Sequence, residues 1–208
     1  MPHIGNDIVD LREPLNVRKS RDLRFLKKIL TAAEIEFVQG AKNSDQALWS
    51  FWACKEASYK VIKKKYPDAR FLPRRWQVLL RQTASSHIDG EVVIPAKDKV
   101  YVRVFFHAEY VHCIGADDQK ALKNVICKVK ALEVKENTKE KDASLFLRQS
   151  FAQGLIAQLH LSHSDIKIKR EKEQGGLGPP RLYIGGKKSV IDISLSHDGR
   201  FVAYVFLT

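Results

Sequence analysis

IDISLSHDGRFVAYVF, residues 191–206, sets two β-prone runs on either side of Asp198-Gly199. Asp and Gly tolerate the positive φ of tight hairpin loops, so the stretch predicts a hairpin turning at Asp198-Gly199. Side chains alternate along a strand, which puts Ile191, Ile193, Leu195 and His197 on one face and Asp192, Ser194 and Ser196 on the other. Two hydroxyls and an imidazole thus gather at one rim of a sheet. Such a rim can hold an anion, or its side chains can do no more than satisfy loose backbone groups beside the turn. Residues 105–116, FFHAEYVHCIGA, have the same cast, with a histidine followed within a few residues by an aromatic-Val strand.

Upstream of the hairpin, RLYI and IKIKRE read as strands joined by the Gly-rich turn QGGLGPP, and GGKK as a further turn. Neither GGLG nor GGKK has the spacing of a phosphate loop. Leu147, Phe151, Leu155 and Leu159 recur at i, i+4 and predict a helix with Ser144 as N-cap. Before it lies a lysine-rich segment, 119–143, whose apolar part ALKNVICKVKALEV reads as strand or helix and whose end KENTKEKDA reads as an exposed linker. Residues 66–118 are β-rich: Pro67 and Pro73 break a helix, WQVLL and EVVIPAK are strands, and Tyr110–Ala116 is the second strand of a hairpin.

That helix is NSDQALWSFWACKEASYKVIKKK, residues 43–65, capped by Asn43 with Gln46 three residues on. Leu48, Phe51, Trp52, Tyr59 and Ile62 form its apolar stripe. Glu56 and Lys60 are four apart on one face; on a bare surface such a pair is worth about 0.3 kcal/mol, but Trp52 one turn earlier should shield the carboxylate. Leu23, Leu26 and Leu30 mark another helix, and Thr31-Ala32-Ala33-Glu34 is a capping box opening the next. Arg18, Lys19, Arg21, Arg24, Lys27 and Lys28 crowd into the first of these, either as a solvated face or as a dock for an acidic partner. The chain begins with a short strand, HIGNDIVDL.

With 208 residues and 44% hydrophobic content the chain can bury a true core. Thirty-six Lys and Arg against 24 Asp and Glu give +12, which favours polyanions: nucleic acid, a phosphorylated metabolite or an acidic protein. No zinc-finger spacing or RNP-like pattern supports nucleic acid beyond that charge. Cys54, Cys113 and Cys127 fit neither a disulfide framework nor a metal clip and read as reduced thiols. No apolar run approaches a membrane span, so a cytoplasmic location is the expectation.

GNDIVDL, RFLKKILTAAE, WACKEASYK and SLSHDGRFVAY, in that order, resemble the 4′-phosphopantetheinyl transferase superfamily, particularly its holo-acyl-carrier-protein synthase type. Residues 144–208 resemble the first half of the longer, surfactin-synthetase-activating type and residues 1–118 its second half, so the halves stand here in swapped order. The resemblance implies an α+β fold, a single-chain pseudo-dimer of two halves (1–118 and 144–208, joined by the basic segment 119–143), each a small antiparallel sheet packed on a long helix.

It also implies a Mg²⁺-dependent enzyme that moves phosphopantetheine from coenzyme A to a serine of an acidic apo carrier protein, active as a monomer. By resemblance, Asp7 and Glu56 hold the metal, Lys60 reaches the phosphates, and Glu56 helps deprotonate the acceptor serine. Ser196 and His197 contact the coenzyme A phosphates, and Pro180 and Arg181 border the adenine side, Pro179 standing where relatives carry a Lys or Arg. Val9 replaces the second carboxylate of the longer type. The rivals are an inactive homologue that binds a carrier or coenzyme A, and a basic nucleic-acid-binding protein.

Overall fold

The computed structural model describes residues 1–82, 86–95, 99–132, 140–160, 166–173 and 176–208. Strand β1 (Ile4–Asp10) lies directly on the long helix α3 (Ser44–Lys65), and the reason is steric. A Cβ at Gly5 would sit 2.1 Å from the Ala57 carbonyl oxygen, so only glycine lets the strand approach a helix that is itself reduced to alanine at the contact. Four more antiparallel strands, β2 (Gln77–Gln82), β3 (Ile88–Val93), β4 (Val100–Phe106) and β5 (Tyr110–Ala116), complete a five-stranded sheet in the order β1-β5-β4-β3-β2. Val100, Val102 and Val104 alternate inward from β4 and pack with Leu48, Cys54, Ala57 and Val61 of α3. Each such side chain contributes about 1.5–3 kcal/mol by leaving water.

The short helices α1 (Leu23–Ile29) and α2 (Ala32–Gly40) cover one end of α3. The expected capping box is formed: Thr31 Oγ1 accepts from Glu34 N–H (3.3 Å) and Thr31 N–H donates to Glu34 Oε2 (2.8 Å). The same Glu34 oxygen takes the ammonium of Lys55, which is fully buried and also donates to the carbonyls of Ile29 and Pro73. The basic run is less helical than expected. Arg18 has a left-handed φ of 59°, Lys19–Arg21 form a single 3₁₀ turn, and α1 starts only after Asp22 accepts from Phe25 N–H.

The remaining strands form two three-stranded sheets, β10-β11-β6 and β7-β8-β9. The apolar part of the connecting segment, read as strand or helix, forms one of each. Asp118 caps the short helix α4 (Gln119–Asn124), and β6 (Ile126–Ala131) pairs antiparallel with β11 (Phe201–Leu207). The reason is that β11 is buried along its whole length and would otherwise carry an unpaired edge. Residues 133–139, which include the first five of KENTKEKDA, fall outside the described residues, and α5 begins at Glu140, a turn before the expected cap Ser144, and ends at Leu159.

Two loops also differ from expectation. QGGLGPP is not all turn: β8 (Gly176–Ile184) already runs through it and pairs with β7 (Ile166–Glu173), bulging between Arg170 and Lys172. Pro179 and Pro180 are tolerated because β9 (Lys187–Lys188) reaches only Tyr183 and Ile184, leaving β8 an open edge at the prolines. In the last hairpin Asp198 pairs with Phe201, so β10 (Asp192–Asp198) turns at Gly199-Arg200, one residue later than expected. Gly199 alone takes positive φ there, the pattern of a type II′ loop rather than type I′.

The second half therefore carries two small sheets rather than one, and it repeats an order of elements. A strand, a long helix, a strand pair and a closing hairpin occur first as β1, α3, β2-β3, β4-β5 and then as β6, α5, β7-β8, β10-β11. Mixed apolar clusters join the halves: Ile4, Ile114 and Ala116 pack with Val205 and Leu207, and Ile8 packs with Phe201 and Ala203.

Candidate active site

Asp7 points from the middle of β1 toward α3, where Lys60 Nζ meets its Oδ1 at 2.9 Å and the Asn6 carbonyl at 2.7 Å. An ammonium has three donors, and these contacts use two of Lys60's, leaving one toward the cavity it lines. One turn back, Glu56 is flanked by the half-buried Trp52 and Tyr59, which both lean on Phe71 with ring centroids 5.7 and 4.9 Å apart. Burial, and then the charge of Asp7, push the Glu56 carboxyl up to about 7 against the pull of Lys60. Burial likewise raises Asp7, opposed by Lys60. Two shielded carboxylates with one ammonium between them are short of positive charge.

That deficit suits a hard divalent cation. Among the described residues no cluster of three or more His, Cys, Asp or Glu side chains gathers, so a cation here would draw its other ligands from water and phosphate oxygens, as Mg²⁺ does.

The opposite wall comes from the second half. Asp7 and Lys60 share a cavity of about 230 Å³ with Ser196, His197, Arg148 and Arg170. A second, also about 230 Å³, adjoins it through Lys60, Arg170 and Leu195 and is lined by Glu56, Tyr59, Lys64 and Pro180. A third, of about 370 Å³, continues past Lys64 and Pro180 to Arg181, Lys188 and His3. All seven residues singled out from the sequence thus lie along one run of cavities. Asp7, Lys60, Ser196 and His197 meet at one end, and Arg181 stands at the other, 3.5 Å from Glu171.

Ser196 lines the first cavity and also leans on β1. Its Oγ accepts from Asn6 Nδ2 at 3.3 Å, and the residue is buried against β1. Arg148 and Arg170, absent from the sequence-derived set, add two cations to Lys60 at that end. Arg148 is held by the Ile168 carbonyl at 2.9 Å, and burial, then the nearby Arg148 charge, lower the pKa of Arg170. The signal for Arg170 was present: Ile166, Ile168 and Arg170 share a strand face, so an arginine continues an inward apolar row. Lys64 also lines the cleft, but its ammonium is spent on Asp192, Ile4 O and Ile193 O.

Comparison with protein families matches residues 3–114, more than half of the chain, to the 4′-phosphopantetheinyl transferase superfamily. The chain belongs to that superfamily. A search of curated proteins finds no match. The matched segment contains Asp7, Glu56 and Lys60 but ends before α5 and the last hairpin, so the basic wall rests on geometry alone. No helix among the described residues is long and apolar enough to cross a membrane.

Proposed function

We propose that the protein transfers 4′-phosphopantetheine from coenzyme A to a serine hydroxyl of an acidic apo carrier protein, with one site per chain. The observation that carries this reading is the facing of two walls across a single cleft. Asp7, Glu56 and Lys60 come from the half that matches the family, and His197, Arg148 and Arg170 from the other half.

Asp7 and Glu56 would hold Mg²⁺, which when bound neutralises charge on the pyrophosphate under attack. Lys60, His197, Arg148 and Arg170 grip the phosphates, the two guanidinium groups through paired N–H donors and Lys60 as a point charge. Glu56, beside the cleft floor, takes the proton of the attacking serine, directly or through water. Pro179 and Pro180 offer a rigid apolar ledge and Arg181 and Lys188 positive charge toward the far cavity, which has room for the nucleotide end of coenzyme A. The repeated order of elements supports a pseudo-dimeric chain that completes its site as a monomer.

The test is to mix the protein, Mg²⁺ and coenzyme A with a panel of apo carriers and weigh the carriers. One carrier gaining the phosphopantetheine mass supports the reading. No gain on any carrier, together with salt-steep binding to any DNA duplex, would replace it with the nucleic-acid reading.

A further inference from the structure

An edge strand turns the N–H and C=O of successive residues alternately toward its partner and away from it. β1 is such an edge, bound to β5 on one side, and its even-numbered residues present N–H groups to β10 on the other. β10 answers with side chains instead of backbone. Ile4 N–H donates to Asp192 Oδ2 (2.7 Å), Asn6 N–H to Ser194 Oγ (3.0 Å) and Asp10 N–H to Asp198 Oδ2 (2.8 Å). In all three pairs donor and acceptor are 188 positions apart, so the strands run parallel in fixed register, with oxygen side chains in place of a carbonyl ladder. The ends are pinned as well: Lys64 binds Asp192 at 2.8 Å, and Asn16 Nδ2 binds Asp198 at 2.7 Å.

This row explains the alternation Asp-x-Ser-x-Ser-x-Asp. The same pleat that sends Asp192, Ser194, Ser196 and Asp198 to β1 puts Leu195 and His197 on the other face of β10, and the first three of the row also border the cleft cavities. A slip of one residue would exchange the two faces, and a slip of two would move His197 past Asp7 by about 6.6 Å. A phosphate chain gripped from both walls tolerates far less, since about 1 Å of misplacement can cost on the order of a hundredfold in rate.

We propose that Ser194 and Asp198, together with Asp192, are positioning residues that set His197 against Asp7 across the seam between the halves: Asp192 and Ser194 border the cleft, but their oxygens are engaged by β1 amides. The role in catalysis rests on the transferase reading of the cleft; the seam itself does not.

The experiment uses the full chain with Ser194→Ala, Asp198→Ala and Asp198→Asn, the last keeping an acceptor oxygen. Amide exchange followed residue by residue should quicken at least about tenfold at Asn6 in Ser194→Ala and at Asp10 in Asp198→Ala. The odd-numbered amides Gly5, Asp7 and Val9, which face β5, should stay protected. For phosphopantetheine transfer, kcat should fall at least about tenfold in both alanine variants with the KM for coenzyme A held within about threefold, and Asp198→Asn should recover to within about threefold of wild type. Unchanged exchange, wild-type turnover in the alanine variants, or a coenzyme A KM raised at constant kcat would each overturn the proposal, the last by making these residues ligand contacts. If the wild-type chain transfers nothing, the transferase reading falls, and exchange at Asn6 and Asp10 still decides whether these side chains hold the strands together.

Discussion

β1 and β6 occupy the same place in the two halves, each pairing antiparallel with the last strand of its half's closing hairpin. Counted from the hairpins, Phe106 faces Val111 as His197 faces Val202, and two pairs further on Asp7 faces Cys113 where Lys128 faces Tyr204. The expected correspondence of His107 with His197 is therefore one residue off, and the first hairpin offers a half-exposed phenyl ring in the imidazole's place. One plan, used twice, carries opposite chemistry. In the cleft beside the seam the first half places Asp7 and Glu56 and the second half His197, Arg148 and Arg170, whereas the reverse seam has Lys128 and Phe106 at the positions of Asp7 and His197.

The comparison breaks most visibly if the acidic half is not where catalysis fails first. Asp7→Ala and Glu56→Gln should each lower kcat at least about a hundredfold with an unchanged fold by circular dichroism, because metal charge stabilisation is worth several kcal/mol. Mixing the Asp7→Ala chain with a His197→Ala chain should leave the sample inactive. Recovered turnover would mean that halves of different chains pair, and the single-chain site would be wrong.

The basic half is tested by Arg170→Met. Losing a charge-assisted contact costs about 1.5–3 kcal/mol, so the KM for coenzyme A should rise on the order of ten- to a hundredfold. An unchanged KM would return the second half to a purely structural role.

The alternation of β10 told which residues share a face, and α3's spacing told that Glu56 and Lys60 do. Neither could tell what lies against that face. That the Ser196 Oγ also accepts from Asn6, 190 positions away on β1, is invisible from its own neighbourhood. ALKNVICKVKALEV stays open between strand and helix for a related reason: lysines interrupt Ile126, Val129 and their neighbours, and only the need of β11 for a partner makes Ile126–Ala131 a strand. Gly5 and Ala57 read as ordinary small residues until their contact fixes where Asp7 stands.

Where the halves lock together, Arg200 grips the buried Asp10 through Nε (2.8 Å) and a second nitrogen (2.7 Å) and reaches Glu109 at 2.9 Å. Burial pushes the Asp10 carboxyl up, but hydrogen bonds from Arg200 and from the Arg12 N–H outweigh it and leave Asp10 below its usual value. The stabilisation is thus present above the unfolded carboxyl's pKa and lost as pH falls through the lower folded one. Arg200→Met should cost about 1–3 kcal/mol at neutral pH, between the values of exposed and buried ion pairs. Chemical denaturation should show the gap to wild type closing in acid; a gap that persists there would remove the ion pair as its source.

The smallest effect concerns the exposed cations at the other side of the first half. Arg21→Glu with Arg24→Glu should raise the KM for an acidic carrier several-fold at low salt and spare that for coenzyme A, the difference fading as the screening length shortens. A carrier KM that ignores both charge reversal and salt would place the dock elsewhere.

Lys55 and Glu56 are neighbours in the chain, yet helix α3 sends them to opposite fates. The Glu56 carboxylate faces the cleft, whereas the Lys55 ammonium holds α1, α2 and the turn at Pro73 together from inside the core. In a screen that scores only the product of the reaction, the two positions look alike, since damage to either leaves no signal. Scored by how much soluble protein accumulates, they should part: stranding Glu34 without its cation costs about 3–5 kcal/mol of stability, while Glu56→Gln should leave the protein abundant and only its turnover reduced.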